Sequence, residues 1–476
     1  MKTLVNKAPR LALGVTPSSA ALSRFLKGRK PSSSILPHMP AELVQTIASF
    51  LPMPALGNLR LTCKELEVKI LWYFAKTYFR EMKFMHSKYA LEALVAMSKS
   101  RMAQYVQKLA LGPPSNDQSV VIFSGQEPKS AAVRQQITRA LYRYAEENRT
   151  MRAFGHDAAM IQTAFQNLSA ITKMEFLAPT QDCVCPFCSP LSSYGERHLI
   201  ESVGGGKAGF APTVLDSSQS LGRLLHITLS AAQSAGLKLE CVDARTTPFP
   251  DEYTEESQKT GFAAYPLTFP SAPPGERPSD SAFARLSNMK LFLGHHQDTC
   301  NAGRRTQLVQ RLVTFFDRAP ALESLGFTFQ EGHGTFECLK QLTHSPPLWK
   351  IKRLELSSFD FKCTELFDIL DPLRNTLQTL HLSFFKVDDG FEMLRWFRDR
   401  MTSLNEVDLE HLQEYPTPAR YGSAALSLQH ALLNSYSNSR YKGDSIGKFF
   451  DETIDKWMGH ESAQGKMLLG LDDDSD

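Results

Sequence analysis

Residues 351–382 read IKRLELSSFDFKCTELFDILDPLRNTLQTLHL, and this stretch carries the pattern from which the fold can be predicted. Each end holds the motif L-x-x-L-x-L, at Ile351/Leu354/Leu356 and at Leu377/Leu380/Leu382. Between the two copies, apolar residues recur at helical spacing, at Leu366, Ile369, Leu370 and Leu373. The stretch therefore predicts a strand, a helix and a second strand.

The motif continues on both sides of this stretch, with further copies at Leu322/Leu325/Phe327 and Leu404/Val407/Leu409. Successive copies begin 29, 26 and 27 residues apart, which is within or at the edge of the leucine-rich-repeat period of about 20–29 residues. Because each strand-helix unit can bury its apolar face only against its neighbours, the pattern predicts an α/β fold, a leucine-rich-repeat-like solenoid with a parallel sheet. The alternative is an ordinary α/β domain whose buried strands happen to be rich in leucine.

The repeats differ from ordinary leucine-rich repeats after each strand. Where such repeats often carry Asn or Cys, this chain has Gln330, Phe359, Phe385 and Leu412. The resemblance is therefore to divergent leucine-rich repeats, and no ladder of side-chain amides is expected. Less regular strands are predicted at 106–111, 171–176, 235–239 and 289–293, which places the solenoid at residues 106–412.

A second informative stretch, from Leu36 to Leu66, contains three short helical patterns separated by prolines. Pro40 with Glu42 indicates the start of the first helix, since proline and a carboxylate both suit a helix N-terminus. Pro52 and Pro54 end that helix and begin the next. Thr62 and Glu65 have the spacing of a capping box for the third helix.

These residues resemble an F-box, through Met39-Pro40-x-Glu42-Leu43, Ile47, Phe50-Leu51, Leu56, Leu59-Arg60 and Cys63-Lys64. The family resemblance, to fungal-type F-box proteins with divergent leucine-rich repeats, implies a three-helix module that docks on the Skp adaptor of SCF ubiquitin ligases and, through it, on cullin. The alternative is three amphipathic helices that only form a local core. The residues expected to bind the adaptor are Met39, Pro40, Leu43, Ile47, Leu51, Leu56, Leu59 and Cys63.

The domain organisation predicted from these patterns has five parts. Residues 1–35 form a basic arm that is either disordered or a mitochondrial transit peptide, with disorder favoured by the interrupting prolines and glycine. The F-box occupies 36–80 and a helical linker 81–105. The solenoid carries loop inserts at 189–222 and 246–282, and a C-terminal helical segment with an acidic tail occupies 413–476.

Composition gives no bulk electrostatic partner. The 476 residues include 53 Lys plus Arg and 50 Asp plus Glu, a net charge of +3, so neither nucleic acid nor a membrane surface is indicated. The eight cysteines are unevenly spaced, which favours a reducing compartment, cytoplasmic and/or nuclear. We expect no apolar run long enough to cross a bilayer.

One cysteine cluster is a candidate metal site. Cys183, Cys185 and Cys188 could hold zinc if His198 or Cys241 supplied a fourth ligand; the alternative is a loop of free thiols, and no other cofactor is expected. Two further patterns, Gly204-Gly205-Gly206-Lys207 and His295-His296-x-Asp298, lack the neighbours that phosphate binding or catalysis requires.

The sequence contains no catalytic signature, so we expect an interaction protein and no enzyme. The resemblance implies the substrate receptor of an SCF-type ligase with an unknown protein substrate. We expect the substrate to meet the sheet face or the loops beyond the strands, where alternating positions such as Glu355, His381 and Asp408 would be exposed; the alternative is that these are ordinary solvated polar residues. A scaffold that binds the Skp adaptor without substrate turnover is the first alternative. An uncharacterised enzyme built around His295 and the cysteines is the second.

Overall fold

The computed structural model describes residues 35–114, 130–176, 194–195, 217–244, 269–275, 277, 279, 281–293, 302–329, 335–414 and 438–442. The chain divides into two compact units, Met1–Tyr78 and Phe79–Asp476. Among the described residues, no helix combines the length and the apolarity that a membrane span requires.

The described part of the first unit contains three α-helices, as predicted. Helix α3 packs against both α1 and α2, and the core between them consists of Val44, Ala48, Leu56, Leu66 and Ile70. The helices are α1 (Ala41–Ser49), α2 (Met53–Thr62) and α3 (Lys64–Tyr78).

The predicted capping box at the start of α3 is wrong. Thr62 is the last residue of α2, and its hydroxyl donates a hydrogen bond back to the carbonyl of Leu59, 2.7 Å away. The Thr62 side chain therefore satisfies a helix C-terminus and is not available to cap the next helix.

The second unit is α/β, as predicted, with a ten-stranded sheet whose strand order equals the chain order. Strands β1 to β9 are parallel, and β10 is antiparallel to β9. The strands are β1 (Glu81–His86), β2 (Lys108–Pro114), β3 (Lys173–Phe176), β4 (Cys241–Ala244), β5 (Asn288–Leu293), β6 (Ser324–Phe329), β7 (Arg353–Asp360), β8 (Thr379–Val387), β9 (Glu406–Glu414) and β10 (Asn438–Lys442). The described helices are α4 (Lys88–Ser98), α5 (Ala131–Ala153), α6 (His156–Phe165), α7 (Ser217–Ser234), α8 (Ala302–Asp317), α9 (Thr335–Thr343), α10 (Cys363–Leu370) and α11 (Gly390–Arg400).

One sequence motif repeats through all nine parallel strands. The middle residue of each L-x-x-L-x-L copy pairs in register with the middle residue of the next copy. These residues lie in the core that the strands share with the helices, except Met82 at the start of the row, which is half-buried and packs against this core. The row runs through Met82, Leu109, Met174, Val242, Met289, Leu325, Leu354, Leu380 and Val407.

A backbone contact also repeats between the starts of successive parallel strands, from β1 to β9. The carbonyl of Arg80 accepts hydrogen bonds from the amides of Gln107 and Lys108, both at 2.9 Å. The carbonyl of Gln378 likewise accepts from Asn405 and Glu406. The same paired contact occurs at the carbonyls of Gln107, Thr172, Glu240, Ser287, Glu323 and Lys352. The nine strand entries are therefore equivalent.

Residues 81–105 are not the predicted helical linker. They contain β1 and α4, which form the first strand-helix pair of the sheet. In β1, Met82 and Phe84 alternate with polar residues, and this period of two over only six residues is hidden between two helical patterns.

The predicted strand at 235–239 is displaced along the chain. Leu237 and Leu239 are buried, but they precede β4, and Gly236 turns the chain with a φ of 65°. The strand follows at Cys241–Ala244, so Leu239, Val242 and Ala244 form the motif copy. The sequence pattern places Leu237 in a strand because every second residue from 235 to 239 is apolar.

The C-terminal boundary at 412 also differs. Strand β9 continues to Glu414, and β10 pairs with it, Asp408 opposite Arg440. The helix predicted at 446–458 and the acidic tail lie outside the described residues, as does the basic arm before residue 35.

Both predicted inserts contain ordered pieces. Tyr194 forms a parallel bridge with Phe84, and α7 begins at Ser217 within the first insert. Towards the end of the second insert, the centroid of the Phe269 ring lies 4.6 Å from that of the Phe315 ring. The ends of both segments therefore contribute to the packing of the sheet unit.

Two aromatic rings occupy positions at which ordinary leucine-rich repeats often carry the amides of a side-chain ladder. Phe359 and Phe385 are in register on β7 and β8, both are buried, and their rings stack at 5.3 Å with an interplanar angle of 17°. The turn after these strands is packed by apolar contacts.

Candidate functional site

The first unit exposes an apolar stripe on α1. Leu43 is 51% exposed, Ile47 37% and Phe50 82%, and their spacing places them on one side of the helix. An adjacent side of α1, about 100° around the helix, buries Val44 and Ala48. An exposed apolar stripe next to a complete local core is typical of a protein-binding surface.

The structure divides the eight predicted adaptor-binding residues into three classes. Leu56 is completely buried and belongs to the local core. Exposed side chains are those of Pro40, Leu43 and Ile47, and half-buried ones are those of Met39, Leu51, Leu59 and Cys63. Seven of the eight thus have surface that a partner could contact.

Sequence reasoning missed other exposed apolar residues of this unit. Val68 and Trp72 are exposed one turn apart on α3, and the Lys76 ammonium lies 4.7 Å from the Trp72 ring centroid. Leu61 is exposed at the end of α2. The helical spacing could have identified them, because Val68 and Trp72 lie on a different side of α3 from the core residues Leu66, Ile70 and Phe74.

Lys69 fixes the segment that leads into α1. Its ammonium donates to the carbonyls of Pro37 and Met39, and its own carbonyl accepts from the Gln45 amide at 2.9 Å. This lysine therefore joins α3 to the start of α1 and orients the residues around Met39 and Pro40.

The second candidate surface is the polar side of the sheet. Glu355, His381 and Asp408 are neighbours in register on β7, β8 and β9. Their side chains are 15%, 23% and 19% exposed. They are therefore half-buried and more enclosed than the exposed positions that the sequence predicted.

Ion pairs join neighbouring strands across this polar side. The Lys108 ammonium lies 2.8 Å from a Glu175 oxygen, and this hydrogen bond raises the lysine pKa against the opposing effect of burial. His381 on β8 likewise contacts Asp408 at 3.1 Å and Glu410 at 4.0 Å on β9. Arg353 on β7 reaches Glu406 on β9 at 3.8 Å, across β8.

A second ion pair also passes over a whole strand. Lys290 on β5 reaches Glu355 on β7, and the residue between them in register is Gly326. A Cβ at Gly326 would lie 3.0 Å from the Lys290 Cγ. The missing side chain at this position gives the lysine its path along the sheet.

A buried polar cluster lies on the helical side. The Asp157 carboxylate accepts a hydrogen bond from Arg223 at 2.8 Å, and His86 Nε2 lies 3.3 Å from it. His86 and Asp157 are completely buried. The contact between His86 and Asp157 is not aligned as a hydrogen bond, and the two side chains interact electrostatically.

The cluster lowers the pKa of both His86 and Asp157. Burial is the largest influence on His86 and lowers its pKa, with Arg152 and Arg223 lowering it further and Asp157 opposing them. Burial alone would raise the pKa of Asp157, but the His86 and Arg223 contacts hold it below its ordinary value. The native state therefore favours a neutral imidazole beside a carboxylate.

Three of the four described thiols do not have the properties of reactive cysteines. Burial raises the pKa of Cys241, raises that of Cys338 to about 12, and raises that of Cys363, whereas a nucleophilic cysteine needs a lowered pKa. The predicted zinc ligands Cys183, Cys185, Cys188 and His198 lie outside the described residues, as do His295, His296, Asp298 and the glycine run at 204–206.

Comparison with known proteins adds no relative. No family model matches this sequence, and a search of curated proteins finds no match to it.

Proposed function

We propose that this chain is an F-box protein with divergent leucine-rich repeats, which acts as the substrate-recognition subunit of an SCF-type ubiquitin ligase. In this proposal the three-helix unit binds the Skp adaptor, and the polar side of the sheet binds a protein substrate in the cytoplasm and/or nucleus. The chain contributes no bond chemistry of its own. It supplies proximity, because a bound substrate lysine meets the conjugating enzyme in an effectively intramolecular encounter.

The observation that carries the proposal is the apolar stripe of Leu43, Ile47 and Phe50 on α1. The stripe lies in the segment whose motif resembles an F-box, and the unit has a separate core of its own. Burying these side chains against a partner would remove apolar surface that is costly to leave in water.

The sheet supports the second half of the proposal. Its strands follow the chain order, and its motif copies repeat one register and one backbone contact. Nearest-neighbour stacking of equivalent units is what a solenoid requires. The phenylalanine stack at Phe359 and Phe385 fits the divergent form of the repeat.

The experiment is co-purification of the adaptor with a Leu43→Asp, Ile47→Asp double variant. Two carboxylates on the stripe would be buried without partners in the complex, so we expect adaptor binding to be lost while the sheet unit keeps its thermal unfolding transition. Adaptor recovery equal to that of the wild type would contradict the proposal.

The matched control is Ser49→Asp, which places a carboxylate at an exposed position on another side of α1, about 100° or more around the helix from each residue of the stripe. This variant should retain the adaptor. Recovery of cullin together with the adaptor separates a ligase from a scaffold, which would recover the adaptor alone.

A further inference from the structure

Three potential metal ligands meet on the polar side of the sheet. His381 lies on β8, and Asp408 is its register neighbour on β9. Glu410 is two residues further along β9, on the same side. One ligand atom from each of the three residues can be chosen so that all lie within 4.8 Å of one another.

The orientation of the imidazole suits a metal ligand. His381 Nδ1 lies 3.1 Å from Asp408 Oδ2, and His381 Nε2 lies 4.0 Å from Glu410 Oε2. A carboxylate at Nδ1 holds the proton on that nitrogen and leaves the Nε2 lone pair free, which is the arrangement that commonly supports a metal-bound histidine.

The spacing is close to what an ion needs. Zinc lies about 2.0–2.2 Å from nitrogen and carboxylate ligands, so neighbouring ligand atoms are about 3.3 Å apart. The distance of 4.0 Å between His381 Nε2 and Glu410 Oε2 exceeds this spacing by about 0.7 Å, which a rotation of the Glu410 side chain would close.

The local charge also favours a cation. Two carboxylates face a single imidazole, while neighbouring cations on the face have other carboxylates, Lys290 with Glu355 and Arg353 with Glu406. We propose that His381 Nε2 and a Glu410 carboxylate oxygen bind a divalent transition-metal ion of the zinc type, while Asp408 holds the imidazole through Nδ1 and solvent completes the coordination. This inference does not depend on the proposed function, because it concerns the isolated chain.

The test uses the full chain with Cys183, Cys185 and Cys188 changed to Ser, so that these thiolates cannot bind the metal. The metal-free protein is titrated with Zn²⁺ against a chromophoric chelator. We expect one zinc per chain, and His381→Asn should weaken binding at least about 10-fold, the loss typical of a removed metal-site group. Glu410→Gln, which changes a more exposed side chain, repeats the test if the His381 variant does not fold.

Glu406→Gln is the matched control, because Glu406 is a carboxylate of the same strand that faces Arg353. This variant should bind zinc like the parent. Failure of the serine background to bind zinc, or equal binding by the His381 and Glu410 variants, overturns the proposal. Arg440 is paired in register with Asp408; if only an Arg440→Ala variant binds zinc, the proposal also fails.

Discussion

At the scale of single residues, His86 and Asp157 are the clearest source of pH-dependent stability. The native pKa of each is lowered, so the unfolded chain binds more protons than the native chain as the pH falls. The free energy of unfolding must therefore rise with pH between the lowered native pKa and the ordinary pKa of each group. For His86 the contribution is complete above about pH 6.5, the pKa of an unperturbed histidine, and is lost below it.

We predict that His86→Leu reduces this pH dependence. At pH 7 the change should be within about 1 kcal/mol, because a buried imidazole without aligned hydrogen bonds is replaced by an apolar group of similar size. Between pH 7 and pH 5 the variant should gain up to about 2 kcal/mol relative to the wild type, the linkage limit for 1.5 pH units. Urea unfolding at both pH values measures the difference.

Asp157→Asn provides the complementary control. It leaves Arg223 with the Arg152 carbonyl but without a carboxylate, and it should cost about 2–3 kcal/mol at pH 7. This is less than the 3–5 kcal/mol of a fully buried pair because Arg223 is one-third exposed. An equal pH dependence in the His86 variant and the wild type would refute the assignment of this dependence to His86.

At the scale of elements, the C-terminal ends of β7 and β8 depend on aromatic packing. Phe385 is completely buried and stacks on Phe359, whereas an ordinary leucine-rich repeat often has an amide at this position. An amide here would find no ladder of amides on the neighbouring strands, since the register partners of Phe385 are Phe359 and Leu412.

We predict that Phe385→Asn lowers the free energy of unfolding by about 4 kcal/mol, from lost packing plus a buried unsatisfied amide. Phe385→Leu should cost only about 1–2 kcal/mol, because the site stays apolar and nearly filled. Urea denaturation of the two variants gives the comparison. If the asparagine variant were as stable as the leucine variant, the turn would accept an amide and the packing argument would fail.

The elements also show what sequence could predict. Long, in-phase patterns predicted the strands around Leu325, Leu354, Leu380 and Val407, because four copies reinforce one another. Short strands such as β1 could not be separated from the neighbouring helices, since six residues carry too little periodicity. Strand β10 was missed because its place in the sheet depends on pairing with β9 and not on its own pattern.

The two candidate surfaces could likewise be predicted only in part from the sequence. The helical spacing identified Leu43 and Ile47, but it could not separate them from the buried Leu56, because core and interface residues are both apolar. Alternation along the strands placed Glu355, His381 and Asp408 on the polar side, but the approach of Glu410 and the path of Lys290 over Gly326 require the register between strands.

At the scale of the whole molecule, the order of the sheet determines how far a local defect can spread. Every strand pairs only with its neighbours in the chain, and the equivalent strand entries make each unit depend on the next. In such an arrangement stability is a sum of local terms and nearest-neighbour contacts. Local openings should therefore stay local.

We predict that Leu380→Ala in β8 and Leu109→Ala in β2 weaken different parts of the sheet. Each removes a completely buried leucine from the same row of the motif, at a cost of about 2–5 kcal/mol. Hydrogen exchange should become faster in β7 to β9 for the first variant and in β1 to β3 for the second, with the distant strands unchanged. The two variants are matched controls for each other. A uniform acceleration across all strands in both would mean that the sheet opens as one cooperative unit, and the nearest-neighbour description on which the repeat interpretation depends would then be wrong.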